Sequence, residues 1–264
     1  IREIRLTGGE PLLRRDAVEI VTELNALRPL GLERIAMTSN AVRLAPVASA
    51  LKAAGLDDLN ISIDSITPER FRAMTRGDVA PVLEGLAAAR AAGLGIKLNS
   101  VVIRGYNEDQ VLPLVRWAFA EKLSLRFIEF MPLDGRGLWT QDKVITEAEV
   151  LEQVRREFSI DRLPRTSEPA EYFLLDGVYR LGIIPTISRP FCSTCDRVRL
   201  SATGELYSCL FSEQFRDLKS PLRGGADDAA LAQAIRGHVW HKEAGYAERK
   251  GYAERPITMH HLGG

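Results

Sequence analysis

The sequence predicts an α/β fold built from consecutive strand–helix units around a parallel sheet. Three observations predict it. Short β-branched runs alternate with segments of helical periodicity, the runs recur at intervals of 25–37 residues, and a polar residue stands at or just beyond the end of each run. The strand-like runs are residues 1–6, 34–37, 59–63, 96–103 and 125–131. Between them, apolar residues fall at three- and four-residue spacing, as in Val18, Val21, Leu24 and Leu27. Asp16 with Glu19 has capping-box spacing, Thr67 precedes Pro68 at a first helical position, and Asn107 with Gln110 precedes a helix over 111–119. Gly93 marks a helix end. A doubly wound open sheet and a full or partial (β/α) barrel both fit this rhythm. Glu10, Asn40, Asp64, Asn99 and Glu129 favour the barrel, because strand ends in a barrel converge on one site.

After Met131-Pro132 the rhythm breaks. Residues 133–140, with Asp134, Gly135, Arg136 and Gly137, read as a linker, which divides the chain into domains of residues 1–133 and 134–264. A helix over 146–158 is predicted from the Thr146/Glu149 capping box. A hairpin of 172–175 and 178–184 turns on Asp176-Gly177. The second domain is α+β in pattern and holds all three cysteines.

Composition narrows the class. Of 264 residues 45% are hydrophobic, which excludes disorder, and 35 basic residues balance 35 acidic ones. Zero net charge argues against nucleic acid or a polybasic membrane contact as partner. No run of about 18 apolar residues is present, so no membrane span is expected. An odd set of three cysteines suits a reducing compartment, the cytoplasm, better than a disulfide scaffold. The first residue is Ile1, and the natural N-terminus is expected to lie upstream.

Four constellations carry chemistry. In Thr7-Gly8-Gly9-Glu10-Pro11, two glycines let backbone approach a ligand and Glu10 offers a carboxylate to an ammonium group; a tight turn with a solvated Glu10 fits equally. Cys192 and Cys195 in a CxxC, with Cys209 returning from a hairpin, have metal-ligand spacing. Spacing alone leaves zinc, with His238, His241, His260 or His261 as fourth ligand, level with an iron–sulfur cluster. Arg197 and Arg199 flank Val198 on an extended segment and point to one side; with Arg5, Lys97 and Arg189 they make a cationic pocket suited to phosphate oxygens, or ordinary surface charge. The Gly263-Gly264 tail is slim enough to thread a narrow pocket.

Together these pieces resemble one family. Gly-Gly-Glu-Pro followed by Leu-Leu-Arg-Arg-Asp is similar to radical S-adenosylmethionine (SAM) enzymes. Thr38-Ser39-Asn40, Asn60-Ile61-Ser62-Ile63-Asp64, Lys97-Leu98-Asn99, Arg126-Phe127-Ile128-Glu129, the Cys192–Arg199 block and the final Gly-Gly resemble, in this order, the GTP 3′,8-cyclase family of molybdenum cofactor biosynthesis. The resemblance implies a partial (β/α)6 radical SAM barrel lacking its first βα unit, plus a C-terminal α+β domain that closes the barrel mouth. It implies that an N-terminal CxxxCxxC cluster, absent from these residues, reduces SAM to a 5′-deoxyadenosyl radical. That radical takes hydrogen from C3′ of GTP, and C3′ then attacks C8 of the guanine. A second [4Fe–4S] cluster on Cys192, Cys195 and Cys209 presents its open iron to the guanine. Gly8, Gly9, Glu10, Ser62 and Met131 match SAM-binding positions. Arg5, Thr38, Lys97, Arg197, Val198, Arg199, Gly263 and Gly264 match GTP-binding ones. The family also implies a homodimer whose product passes to cyclic pyranopterin monophosphate synthase. Two departures, Ser39 for a threonine and Ala41 for a glycine, are expected to be tolerated. A radical SAM peptide maturase and a non-catalytic zinc-containing nucleotide-binding protein are the competing readings.

Overall fold

The computed structural model describes residues 1–133, 137–166, 168–192 and 195–242. Five strand–helix steps open the chain: β1 (Glu3–Leu6), α1 (Ala17–Asn25), β2 (Arg34–Ser39), α2 (Ala48–Ala54), β3 (Asp58–Ser62), α3 (Pro68–Thr75), α4 (Ala80–Ala91), β4 (Gly95–Val102), α5 (Val111–Ala120) and β5 (Ser124–Glu129). The strands pair in parallel, each with its predecessor in sequence. No reversal of strand order occurs among them, and a doubly wound sheet requires one.

The sheet then continues past the expected domain boundary. After α6 (Glu147–Val154) come β6 (Ile160–Arg162), β7 (Glu171–Leu175) and β8 (Tyr179–Ile184). β8 lies parallel to β5, and β7 and β6 follow antiparallel, giving an eight-stranded mixed sheet. The hairpin that patterning placed in the second half therefore extends the first sheet; a strand pairing of such long range leaves no local trace. Its turn is as expected, with Asp176 at φ +49° and Gly177 at +71° in the left-handed region that a tight two-residue hairpin needs. A small sheet of β9 (Arg199–Leu200), β10 (Glu205–Tyr207) and β11 (Arg216–Asp217) follows, with α7 (Lys219–Arg223) and α8 (Asp228–Trp240). Among the described residues no helix is long and apolar enough to cross a membrane.

Strand alternation gives the large sheet two unlike faces. Ile35, Met37, Leu59, Ile61, Leu98, Leu125, Phe127, Leu181 and Ile183 are buried on one, in a single core with Val21, Leu51, Val82, Leu114 and Ala118 of the helices. Each such side chain contributes roughly 1.5–3 kcal/mol of hydrophobic stabilisation. The other face is polar and builds the site described below.

The capping signals divide. Thr146 and Glu149 form the full reciprocal box. Asp16 does not cap α1; it pairs with Arg14 instead. Asn107 is likewise no side-chain cap. Its Oδ1 accepts from the Ile103 N–H at 2.8 Å, closing the turn after β4, while Gln110 accepts from the Ser65 hydroxyl. In both cases a competing polar partner nearby takes the side chain.

The two departures from the family pattern have physical accounts. Ser39 keeps the hydroxyl, which donates to Glu10 at 2.8 Å and accepts from the Ala41 N–H at 2.9 Å. Ala41 is fully buried at φ +59°, a conformation that strains any Cβ by about 1–2 kcal/mol, partly offset by its buried methyl group. The turn it forms is pressed against α4: a Cβ on Gly85 would lie 2.3 Å from the Ala41 carbonyl oxygen. Gly85→Ala is therefore expected to lower unfolding free energy by about 3 kcal/mol in urea titration, although alanine is the better helix former.

Candidate active site

The polar face of the large sheet assembles residues that lie far apart in sequence. Parallel register sets Arg5 beside Ala36, Thr38 beside Asn60, Asn60 beside Lys97, Ser62 beside Asn99, and Asn99 beside Arg126. Arg126 in turn lies opposite Gly182, and Gly182 opposite Tyr172. Arg5, Thr38, Ser62 and Lys97, singled out from the sequence, thus share one surface. Arg126 joins them, 7% exposed, its Nε donating to Asn99 Oδ1 at 2.9 Å. Gly182 makes this possible, because a Cβ there would meet Arg126 Cγ at 2.7 Å.

The charges on this surface are incompletely balanced. Desolvation lowers the pKa of Arg5, Lys97 and Arg126, and mutual repulsion adds to it: Arg126 acts on Arg5 and on Lys97, and Arg34 acts on all three. Arg5 touches solvent, yet enough protein surrounds it for that desolvation to be felt. Glu168 opposes them. Burial raises its carboxyl, but the Tyr172 hydroxyl at 2.5 Å and the Lys97, Arg180 and Arg126 cations outweigh burial and bring it below the usual range. Cations crowded on a half-buried surface are suited to a polyanion that supplies the missing charge.

The Gly8–Glu10 turn closes the end of β1. Gly8 sits at φ +140°, open to glycine alone without strain. Glu10 does not wait for an ammonium group: Oε1 accepts from the Leu12 N–H at 3.0 Å and from Ser39, and Oε2 accepts from the Asn40 N–H at 2.7 Å. It ties the glycine turn to the end of β2. Gly9 and Ser62 are exposed and Met131 half-buried at the same ends of their strands.

Asp64, just beyond β3, is a buried acid. Its Oδ1 accepts from the Val101 N–H at 2.8 Å, and burial pushes its pKa up to about 6 despite that bond. The folded chain therefore binds this proton more tightly than the unfolded one. Its stabilising effect is complete below pH 4 and is lost as pH rises through 6, a change of at most about 3 kcal/mol. Urea titrations at pH 5 and pH 8 are expected to show wild type losing stability relative to Asp64→Asn, which keeps the acceptor for Val101.

The three cysteines are free thiols, all half-buried. The Cys195 N–H donates to the Cys192 carbonyl at 3.1 Å in a tight turn, and the Phe211 N–H donates to Cys209 Sγ at 3.4 Å. Burial raises the Cys195 thiol, but Arg197, whose Nη2 lies 3.4 Å from its Sγ, and Lys242 together bring it below its ordinary value. Arg199 is brought down to about 10 by desolvation and by Arg197, with Cys195 and Cys209 opposing. Arg199 therefore stands between two of the thiols. Among the described residues no three His, Cys, Asp or Glu side chains gather closely enough for one metal ion. Three unoxidised thiols, one activated by a cation and one receiving a backbone N–H, fit in their chemistry an iron–sulfur cluster, which spreads its ligands more widely than a single ion does.

Other sequence expectations fare differently. Arg189 is not in the cationic pocket; Glu147 and Glu171 neutralise it. His241 turns its Nδ1 to the Gly237 carbonyl at the end of α8. His260, His261, Gly263 and Gly264 lie outside the described residues, as do Asp134, Gly135 and Arg136 of the expected linker. Sequence reasoning did not place Arg126, Asn60, Glu168 and Tyr172 in the site. A charged residue amid the apolar run Leu125–Phe127–Ile128 was the available signal for Arg126.

Comparison with known proteins agrees with this geometry. Residues 1–118 match the radical SAM superfamily, and residues 123–248 match the family described as Molybdenum Cofactor Synthesis C. A GTP 3′,8-cyclase of Streptomyces coelicolor is 44% identical over 251 residues, covering 93% of this chain and 73% of that protein. GTP 3′,8-cyclase 2 of Mycobacterium tuberculosis is 44% identical over 93% of this chain and 70% of its own length. A Xanthomonas axonopodis GTP 3′,8-cyclase is 41% identical over the whole chain and 80% of its own. Among solved structures, Streptococcus suis SuiB bound to its precursor peptide SuiA superposes with TM-score 0.58 at 14% identity, over 89% of this chain and 56% of SuiB, a likeness of fold alone. With a radical SAM fold on a mixed α/β sheet and this identity along nearly its whole length, the chain belongs to the GTP 3′,8-cyclase family of radical SAM enzymes.

Proposed function

We propose that the chain carries out the radical SAM-dependent cyclisation of GTP to (8S)-3′,8-cyclo-7,8-dihydroguanosine 5′-triphosphate, the first step of molybdopterin biosynthesis. The observation that carries this reading is the in-register row Arg5, Thr38, Asn60, Lys97 and Arg126 on one polar sheet face. A triphosphate supplies the negative charge that those crowded cations lack. Thr38 and Asn60 lie between the cations in that row and offer hydrogen bonds to the sugar.

Membership in the radical SAM superfamily brings SAM and a [4Fe–4S] cluster. The sequence contains no CxxxCxxC, the motif of the SAM-cleaving cluster. Gly8, Gly9, Ser62 and Met131 would line the SAM end of the face, with Glu10 holding the glycine turn in place. Cys192, Cys195 and Cys209 would hold a second cluster. A cluster with one iron lacking a protein ligand supplies a coordination position for the guanine. Arg197, Val198 and Arg199 border that position, and Gly263 and Gly264 enter it from the tail.

On this reading residues 1–133 form the SAM half, a partial (β/α)6 barrel lacking its first βα unit. Residues 134–264 form the auxiliary-cluster and substrate half. The division is one of function, since the large sheet runs through it. A homodimer that delivers product to cyclic pyranopterin monophosphate synthase completes the proposal. Equilibrium dialysis of the chain, reconstituted anaerobically with iron and sulfide, tests it. GTP is expected to bind at least tenfold more tightly than ATP; equal affinity contradicts the guanine contact.

A further inference from the structure

Residues 186–189 lead from β8 towards Cys192. Among the described contacts, side chains rather than strand pairing anchor them. Glu129, at the end of β5, is 2% exposed and takes four donors. Its Oε1 accepts from the Glu147 N–H at 2.9 Å and the Ser188 hydroxyl at 2.5 Å. Its Oε2 accepts from the N–H groups of Ile187 and Ser188, both at 2.7 Å. The Glu129 carbonyl accepts from the Thr186 hydroxyl at 3.1 Å. The next residue, Arg189, donates to Glu147 at 2.7 and 2.8 Å and lies 2.5 Å from Glu171. Both glutamates are 6% exposed, and Arg162 bridges them at 2.7 and 2.8 Å.

A buried carboxylate holding four short hydrogen bonds cannot lose one without leaving a polar group desolvated and unpaired. The bonds are therefore kept together or lost together, and four consecutive residues are fixed as a unit. Glu129 stands on the strand that carries Arg126. The same carboxylate thus links a strand of the cationic face to the backbone three to five residues before Cys192.

We propose that Glu129 is a positioning residue, which with the Glu147–Arg189–Glu171 cluster straps residues 186–189 in place and so sets Cys192 before any iron arrives. This rests on the reading of Cys192 as a cluster ligand. It adds that the ligand's place is dictated by a carboxylate remote from the cluster.

The test uses the full chain, whose only cysteines are the three in question. Native-state hydrogen exchange on the metal-free wild type is expected to protect the Ile187 and Ser188 amides as strongly as β8. After anaerobic reconstitution, Glu129→Gln, which turns one acceptor into a donor facing N–H groups, is expected to bind at least fivefold less iron or to give a shifted, broadened reduced-cluster EPR spectrum. Its far-UV circular dichroism should stay that of wild type, and Glu129→Asp should recover part of the iron. Full iron with an unchanged spectrum in Glu129→Gln overturns the proposal, as does exchange of the two wild-type amides at exposed-loop rates. If Glu129→Gln does not fold, Arg189→Leu and the wild-type exchange rates decide in its place. A wild type that takes up no iron defeats the cluster reading itself, whereas the exchange rates judge the strap independently.

Discussion

Cys192→Ala is expected to abolish iron binding by this chain. Only three cysteines are present, so no other thiol can substitute, and a cubane left with two ligands exposes two irons to solvent and oxidant. The same loss is expected from Cys195→Ala and Cys209→Ala. Iron and sulfide analysis with visible absorption, after strictly anaerobic reconstitution, checks it. Circular dichroism should show the large sheet intact, because Cys192 lies outside its core cluster. An alanine variant that kept its iron would place the cluster elsewhere. Zinc retained through His241 would favour the closed structural site instead.

The second large effect is expected at Lys97. This ammonium sits half-buried in the row with Arg126, and its pKa is lowered first by desolvation. Lys97→Glu would set a carboxylate near Glu168, which already opposes Lys97 and Arg126, and would turn attraction for a triphosphate into repulsion. GTP affinity is expected to fall more than a hundredfold, about 3 kcal/mol, as for a buried charge pair broken from one side. Arg116→Ala, exposed on α5 and paired with Glu157, should leave affinity unchanged. Calorimetric titration of both variants supplies the comparison. Equal losses would mean that overall charge, not the sheet face, attracts the nucleotide.

Much of the parallel sheet was legible in the sequence because its strands are short β-branched runs bounded by helical periodicity. β2 to β5 fall within two residues of the runs that patterning marked. The place of β8 beside β5 was not legible, since the partners are more than fifty residues apart and nothing in either strand names the other. β9, β10 and β11, two or three residues each, are too short to show a period. Spacing identified the cysteines, while their neighbourhood with Arg199 emerged only from the fold. Arg126 illustrates the limit. Its strand was read correctly, but its alignment with Lys97 and Arg5 depends on a register that only the assembled sheet supplies.

Glu10 and Glu129 show a further limit. Both stand at strand ends, where a barrel reading makes carboxylates suspects for chemistry. In the structure both are occupied by backbone N–H groups of their own chain. Sequence can mark such a carboxylate; only hydrogen-bond accounting separates a ligand for substrate from a clamp for a loop.

The account stands or falls on whether the cysteine site and the cationic sheet face serve one nucleotide. EPR of the reduced, reconstituted chain with and without GTP addresses this most directly. GTP should shift the cluster's spectrum at concentrations that saturate the Arg5–Lys97–Arg126 face, and ATP should not. A cluster spectrum indifferent to saturating GTP, in a chain that binds the nucleotide, would contradict it.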